Sequence, residues 1–149
     1  MRALGIEITE SDTLLAILDG TSKQARVEVL SSSRLPLPPD PEQVNRLMAL
    51  QKQIRGVFVS EQVERVGVIR ADKGCSPVRA KIECIIQLAA AEVSIPCKLV
   101  APQTISAIDK RKLQQIADPQ LQLGIEQISP GYLRKAACCA WSLVNDEQQ

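Results

Sequence analysis

The chain has 149 residues and a net charge of +1, so no overall field steers it to nucleic acid or to an anionic membrane. Histidine is absent, which removes Ser-His and Cys-His catalysis, and the only aromatics are Phe58, Tyr132 and Trp141, which removes an extended base-stacking surface. The length suits one domain, 1–149, able to bury a substantial core.

Three consecutive strands open the chain, Leu4–Thr9, Thr13–Leu18 and Ala25–Leu30, joined by a tight Glu10-Ser11-Asp12 turn and an Asp19-Gly20-Thr21-Ser22 turn. In the first, Leu4, Ile6 and Ile8 share one face and Gly5, Glu7 and Thr9 the other. The second is apolar from Leu14 to Leu18, as suits a central strand covered on both faces. The third alternates Val27 and Val29 with Arg26, Glu28 and Leu30.

Ser31–Pro41 follows, with Pro36, Pro38, Pro39 and Pro41. Each proline lacks an N–H, so this stretch (31–41) is predicted to be an extended connector without regular structure, with Leu35–Pro39 suited to polyproline II. Asp40 as cap and Pro41 at the first position begin a helix to about Ser60, with Val44, Leu47, Met48, Ile54 and Phe58 inward and Gly56 weakening its last turns.

Val66–Ile69 is the fourth strand and Ala71–Cys75 a loop. Ser76-Pro77 starts a helix whose stripe is Val78, Ile82, Ile85, Ile86, Ala89 and Val93, leaving Arg79, Lys81, Glu83 and Glu92 away from it. Pro96–Ala101 is the fifth strand. A charged helix then runs from about Thr104 to Ile116, Asp118-Pro119 ends it, and a loop extends to Ser129. Pro130 opens the last helix, with Leu133, Ala136, Ala137, Ala140, Trp141 and Val144 inward and residues 145–149 as a frayed tail. This order predicts an α/β fold. An antiparallel three-strand meander followed by parallel strands makes a mixed five-stranded sheet with helices on both faces.

No stretch approaches the ~18 apolar residues of a membrane span. Glu7 and Glu10 break the N-terminal apolar run, so no signal peptide is expected, and five cysteines, an odd number, then point to free thiols in a cytoplasmic chain. Cys138 and Cys139 are expected as buried small hydrophobes. Cys75, beside Lys73 and a helix N-terminus, is the thiol whose reactivity would be worth testing.

Leu4-Gly-Ile-Glu7, Val66-Gly-Val-Ile-Arg70, the long Ser76–Val93 helix, Val100–Ile105 and Pro130–Val144, taken in this order, resemble the RuvC-like branch of the RNase H-like superfamily. Glu7, Leu18-Asp19-Gly20, Val68-Ile69-Arg70 and Lys73-Gly74 resemble more closely a small uncharacterised bacterial family of RNase H-like domains of about this length. In the RuvC-like pattern, acids on the first strand, at the end of the fourth and on the last helix hold the metals of two-metal hydrolysis. That chemistry needs several carboxylates around cations ~3.5–4 Å apart. Glu7 matches the first position. Arg70 stands at the second, and Tyr132, Arg134 and Lys135 stand near the third, with no acid before Asp146.

The resemblance therefore implies a catalytically degenerate domain without a cofactor, a binding or assembly module in which Glu7 pairs with Arg70 or Lys135. Its partner would be another protein, a second copy, or nucleic acid met through the local basic patch of Arg65, Arg70, Lys73, Arg79 and Lys81. Interleaved Glu61, Glu64, Asp72 and Glu83 argue instead for a solvated surface there, as in the second basic run, Asp109–Lys112. Against the degenerate reading stands a Mg²⁺- or Mn²⁺-dependent nuclease with relocated acids, Glu7 and Asp72 with Glu126 or Asp146. A non-cleaving nucleic-acid binder is the third reading. No glycine follows Glu7 closely enough to cradle a phosphate, which argues against an actin-like ATPase.

Overall fold

The most apolar strands take the centre of the sheet. In a computed structural model, which describes residues 1–10, 12–20, 25–28, 30, 33–71, 74–115 and 131–146, β1 (Arg2–Thr9) and β2 (Asp12–Gly20) pair antiparallel along their whole lengths, from Arg2 opposite Asp19 to Thr9 opposite Asp12. β3 (Ala25–Glu28) pairs antiparallel with β2 on the outer side. β5 (Arg65–Ile69) lies parallel to β1, and β6 (Cys97–Val100) lies parallel to β5. The main path is thus β3-β2-β1-β5-β6, the predicted mixed sheet.

A sixth strand was not expected. Arg34–Pro36 forms β4 and pairs antiparallel with β2, Leu14 opposite Arg34 and Asp12 opposite Pro36, which corrects the reading of 31–41 as wholly irregular. The Ser33 carbonyl accepts from the Leu15 amide at 2.8 Å. The prolines do not prevent this, because Pro36 falls on the last residue of a short strand and Pro38, Pro39 and Pro41 lie beyond it.

Helix α1 (Gln43–Ser60) begins two residues later than predicted. Asp40 Oδ1 accepts from the Glu42 amide at 2.9 Å and Asn45 Nδ2 at 3.3 Å, so it closes a turn ahead of the helix rather than capping the helix itself. The buried stripe is Leu50, Ile54 and Phe58. Met48 is about 200° round the helix from Leu50 and shares its side with Val44. Both are largely exposed, contrary to expectation. Helix α2 (Pro77–Glu92) starts as predicted, with Pro77 first and Ser76 Oγ accepting from the Arg79 amide at 3.2 Å.

Helix α3 (Pro102–Gln115) starts at Pro102, where a missing N–H costs nothing. Its predicted end at Ile116, the Asp118-Pro119 stop, the loop to Ser129 and Pro130 lie outside the described residues. A 3₁₀ turn, Gly131–Leu133, leads into α4 (Arg134–Asp146). Leu133, Ala136, Ala137, Ala140, Trp141 and Val144 are all buried, as predicted. Asn145 and Asp146 complete α4 rather than a tail.

Each face of the sheet has its own core. Leu4, Ile6, Ile8, Leu15 and Ile17 pack under α1 and α2, while Ala3, Leu14, Ala16 and Leu18 pack under α3 and α4. Among the described residues no helix is long and apolar enough to cross a membrane.

Gly5 sets how closely α4 approaches. A Cβ built there would lie 1.8 Å from the Ala136 carbonyl oxygen and 2.5 Å from the Ala140 amide nitrogen, so the helix backbone rests on the strand itself. Any side chain must push α4 off the sheet. Gly5→Ala is expected to destabilise by about 3 kcal/mol or more. Gly56→Ala, in α1 with open space around the new Cβ, is expected to stabilise by about 0.5–1 kcal/mol. Urea midpoints of the two variants check both signs.

Candidate functional site

Glu7 follows Gly5 by two residues, so its carboxylate projects to the same α4-covered face. There it enters a cleft of about 410 Å³ between the end of β1, β4, α3 and the start of α4. The side chain is only 15% exposed, and Lys135 Nζ approaches its Oε2 to 3.9 Å. Burial pushes the Glu7 carboxyl above its ordinary value of 4.5, and the charges of Lys135 and Arg79 oppose that rise. Lys135 is itself 72% exposed, so the pair contributes at most about 1 kcal/mol. Lys135 is one of the two partners expected for Glu7. Arg70, the other, is exposed at the end of β5 and does not line the cleft.

After Lys135, Arg79 is the cation whose charge acts on Glu7. Its Nε donates to the Ile8 carbonyl and its Nη2 to the Ile69 carbonyl, both at 3.2 Å, and Nη1 lies 3.4 Å from Glu83 Oε2. Glu83 also accepts from the Ala71 amide at 3.0 Å. Arg79 and Glu83 therefore turn inward, although the helical period set them aside. The reason is that β1 and β5 end beside each other, and a long guanidinium stem can reach both carbonyls from α2. Lys81 donates to Gln43 Oε1 at 2.6 Å, on the α1–α2 side of the molecule and away from the cleft.

A second acid in the cleft is Asp109 of α3, which the sequence reading placed only in a basic run. Arg134 Nε donates to its Oδ1 at 2.6 Å. The signal was present: Asp109 lies four residues after Ile105, which is buried, so both point toward the sheet. The β4 wall was not legible. Arg34 lies over the Tyr132 ring, 4.6 Å from its centre, and the Ser33 and Tyr132 hydroxyls are 3.3 Å apart.

Asp72, Lys73 and Glu126 lie outside the described residues. Asp146 is at the far end of α4 from Lys135, roughly 16 Å along the helix axis. Cys138 and Cys139 are buried as expected, and burial pushes the Cys139 thiol up to about 12. Cys97 is likewise raised, to about 11.

A mixed sheet opening with a long hairpin, a carboxylate on its first strand and a last helix crossing that strand define the RuvC-like branch of the RNase H-like fold. Thermus thermophilus RuvC in complex with a Holliday junction substrate superposes with a TM-score of 0.75 at 17% identity, over 99% of this chain and 96% of that one. A further T. thermophilus RuvC structure gives 0.75 at 16%, with the same coverage. Fowlpox virus resolvase, solved with substrate Holliday junction DNA, gives 0.62 at 12%, over the whole of both chains. At these identities the likeness is one of fold. The chain belongs to the family described as "Protein of unknown function (DUF3010)", whose model matches residues 1–138. No curated protein matches in sequence.

The two-metal site of such folds does not fit the donors found here. Among the described residues no three acids or thiols converge as metal ligands. Of the two carboxylates in the cleft, one faces Lys135 and the other is bonded to Arg134. Two carboxylates, each facing a cation of the chain, are fewer than two hard cations need.

The raised Glu7 value fixes a pH dependence. The folded protein holds this proton more tightly than the unfolded chain, so the contribution of Glu7 to stability is full below pH 4.5 and is lost as pH rises through the folded-state value. Glu7→Gln removes that loss. The stability difference, variant minus wild type, is expected to grow in the variant's favour above pH 4.5, as denaturant midpoints across pH will register. Lys135→Met should carry the loss to still higher pH, because the opposing cation is gone.

Proposed function

We propose that this chain is a non-cleaving RuvC-like domain, a binding module that holds the phosphate backbone of nucleic acid in the cleft without a resident cofactor. The observation that carries this is Lys135, at 3.9 Å from Glu7 where the fold would place metal. Cations of the chain can attract a phosphate, yet they supply neither a metal-activated water nor the paired charge that stabilises a leaving oxygen. Arg34 and Lys135 are half-exposed or more and both border the cleft. Exposed Arg70 follows the last residue of β5, the strand beside β1. Two proteins of the same fold were each solved with Holliday junction DNA, which supports a branched nucleic acid as the ligand to try first.

With a net charge of only +1, binding must come from this local patch and must weaken with salt. A labelled four-way junction is expected to bind at low salt and to remain uncut in Mg²⁺ or Mn²⁺. Lys135→Ala should lower the salt slope by about 1, the loss of one phosphate contact. Mn²⁺-dependent cleavage that disappears in Glu7→Gln would overturn the proposal in favour of a relocated acid set, with Asp72 the first to examine. Absence of binding even at low salt would leave a protein partner or a second copy as the occupant.

A further inference from the structure

The cleft is larger and more varied than contact with a phosphate backbone requires. Its volume of about 410 Å³ falls among pockets that enclose whole small molecules, ~300–1,000 Å³. Leu14, Ile105 and Cys138 give it an apolar floor, and all three side chains are buried. Tyr132 forms one wall and is 41% exposed. Arg34 covers one face of that ring. Lys135 stands at the mouth where α4 begins, so a cation and the positive end of a helix dipole coincide.

These parts have different requirements. A sugar–phosphate backbone running across the rim would leave the floor and the ring unused. A wholly apolar ligand would strip water from Glu7, Lys135 and the Asp109–Arg134 pair without replacing it. A ligand with a planar apolar body and an anionic end satisfies both. We infer that the cleft binds a single nucleotide unit, the base against Tyr132 and the apolar floor and the phosphate toward Lys135. The shortage of aromatics excludes a surface that stacks many bases, but one ring is enough for one base.

This rests on the reading of the protein as a nucleic-acid binder and narrows it to an unpaired nucleotide. A free nucleoside monophosphate shares the chemistry, and the two sources are separable. The experiment measures affinity for a fully paired four-way junction, the same junction with one unpaired nucleotide, and one carrying an abasic residue at that position. Adenosine and cytidine monophosphates are titrated alongside by calorimetry. The unpaired nucleotide is expected to tighten binding roughly tenfold, the abasic residue to abolish the gain, and the monophosphates to bind weakly at the same site. Tyr132→Ala should remove the gain from the unpaired nucleotide. Ser106→Trp, at an exposed position of α3 on the cleft, should fill the space and remove that gain too, without touching the Tyr132–Ser33 contact.

Equal affinity for all three junctions, with no binding of monophosphate, overturns the inference while the broader function stands. Monophosphate binding blocked by Ser106→Trp, with no junction bound at any salt, keeps the pocket and removes the nucleic-acid reading. If nothing binds, both fall.

Discussion

The backbone of α4 lies directly on Gly5 of β1, and the site depends on that contact. A strand alternates its side chains, so the face that carries the bare Gly5 also carries Glu7. A helix lying that close brings its first turn level with the carboxylate two residues along. Ala136, Ala137 and Ala140 keep the remaining surface of α4 small enough for the approach. Further along, a Cβ on Gly67 would come within 3.0 Å of Cys139 Sγ, so the same helix is seated on β5 as well. The position of Lys135 beside Glu7 is therefore set by the two strands beneath it rather than by the ion pair, which is too exposed to hold a helix in place.

Charge in the cleft is arranged against the helix dipole. Arg134 and Lys135 occupy the first turn of α4, where cations are disfavoured by roughly 0.3–1 kcal/mol each. Each is met by an acid from another element, Asp109 from α3 and Glu7 from β1. At the ends of β1 and β5, Arg79 joins the Ile8 and Ile69 carbonyls with its guanidinium. Side-chain cations from α2 and α4 thus gather around the ends of β1 and β5. Burial still prevails over them at Glu7, whose carboxyl is raised rather than lowered. That balance is what a desolvated acid with one distant and well-hydrated partner should show.

Most of the architecture was legible in the sequence because it is written in periodicity. The alternation in β1, the continuous apolar run in β2, the Ser76-Pro77 start and the stripe of α4 all lie where the pattern places them. Glu7 was legible as the centre of the site, and Lys135 as one of its two partners. What failed was long-range. Arg79 and Glu83 read as outward because helical phase says nothing of carbonyls that a flexible stem can reach. Arg34 and Tyr132 are nearly a hundred residues apart, and a proline-rich run gave no sign that three of its residues would pair with β2. Asp109 was hidden among basic neighbours, although its spacing from Ile105 would have placed it.

The central claim is the proposal that Glu7 faces Lys135 and holds no metal ion. Titration of Mn²⁺ into isotope-labelled protein, followed by paramagnetic broadening of the β1 amides, tests it most directly. The account predicts only weak, non-saturating broadening at Gly5–Thr9, unchanged in Glu7→Gln. Saturable broadening centred on Glu7 and lost in that variant would contradict it.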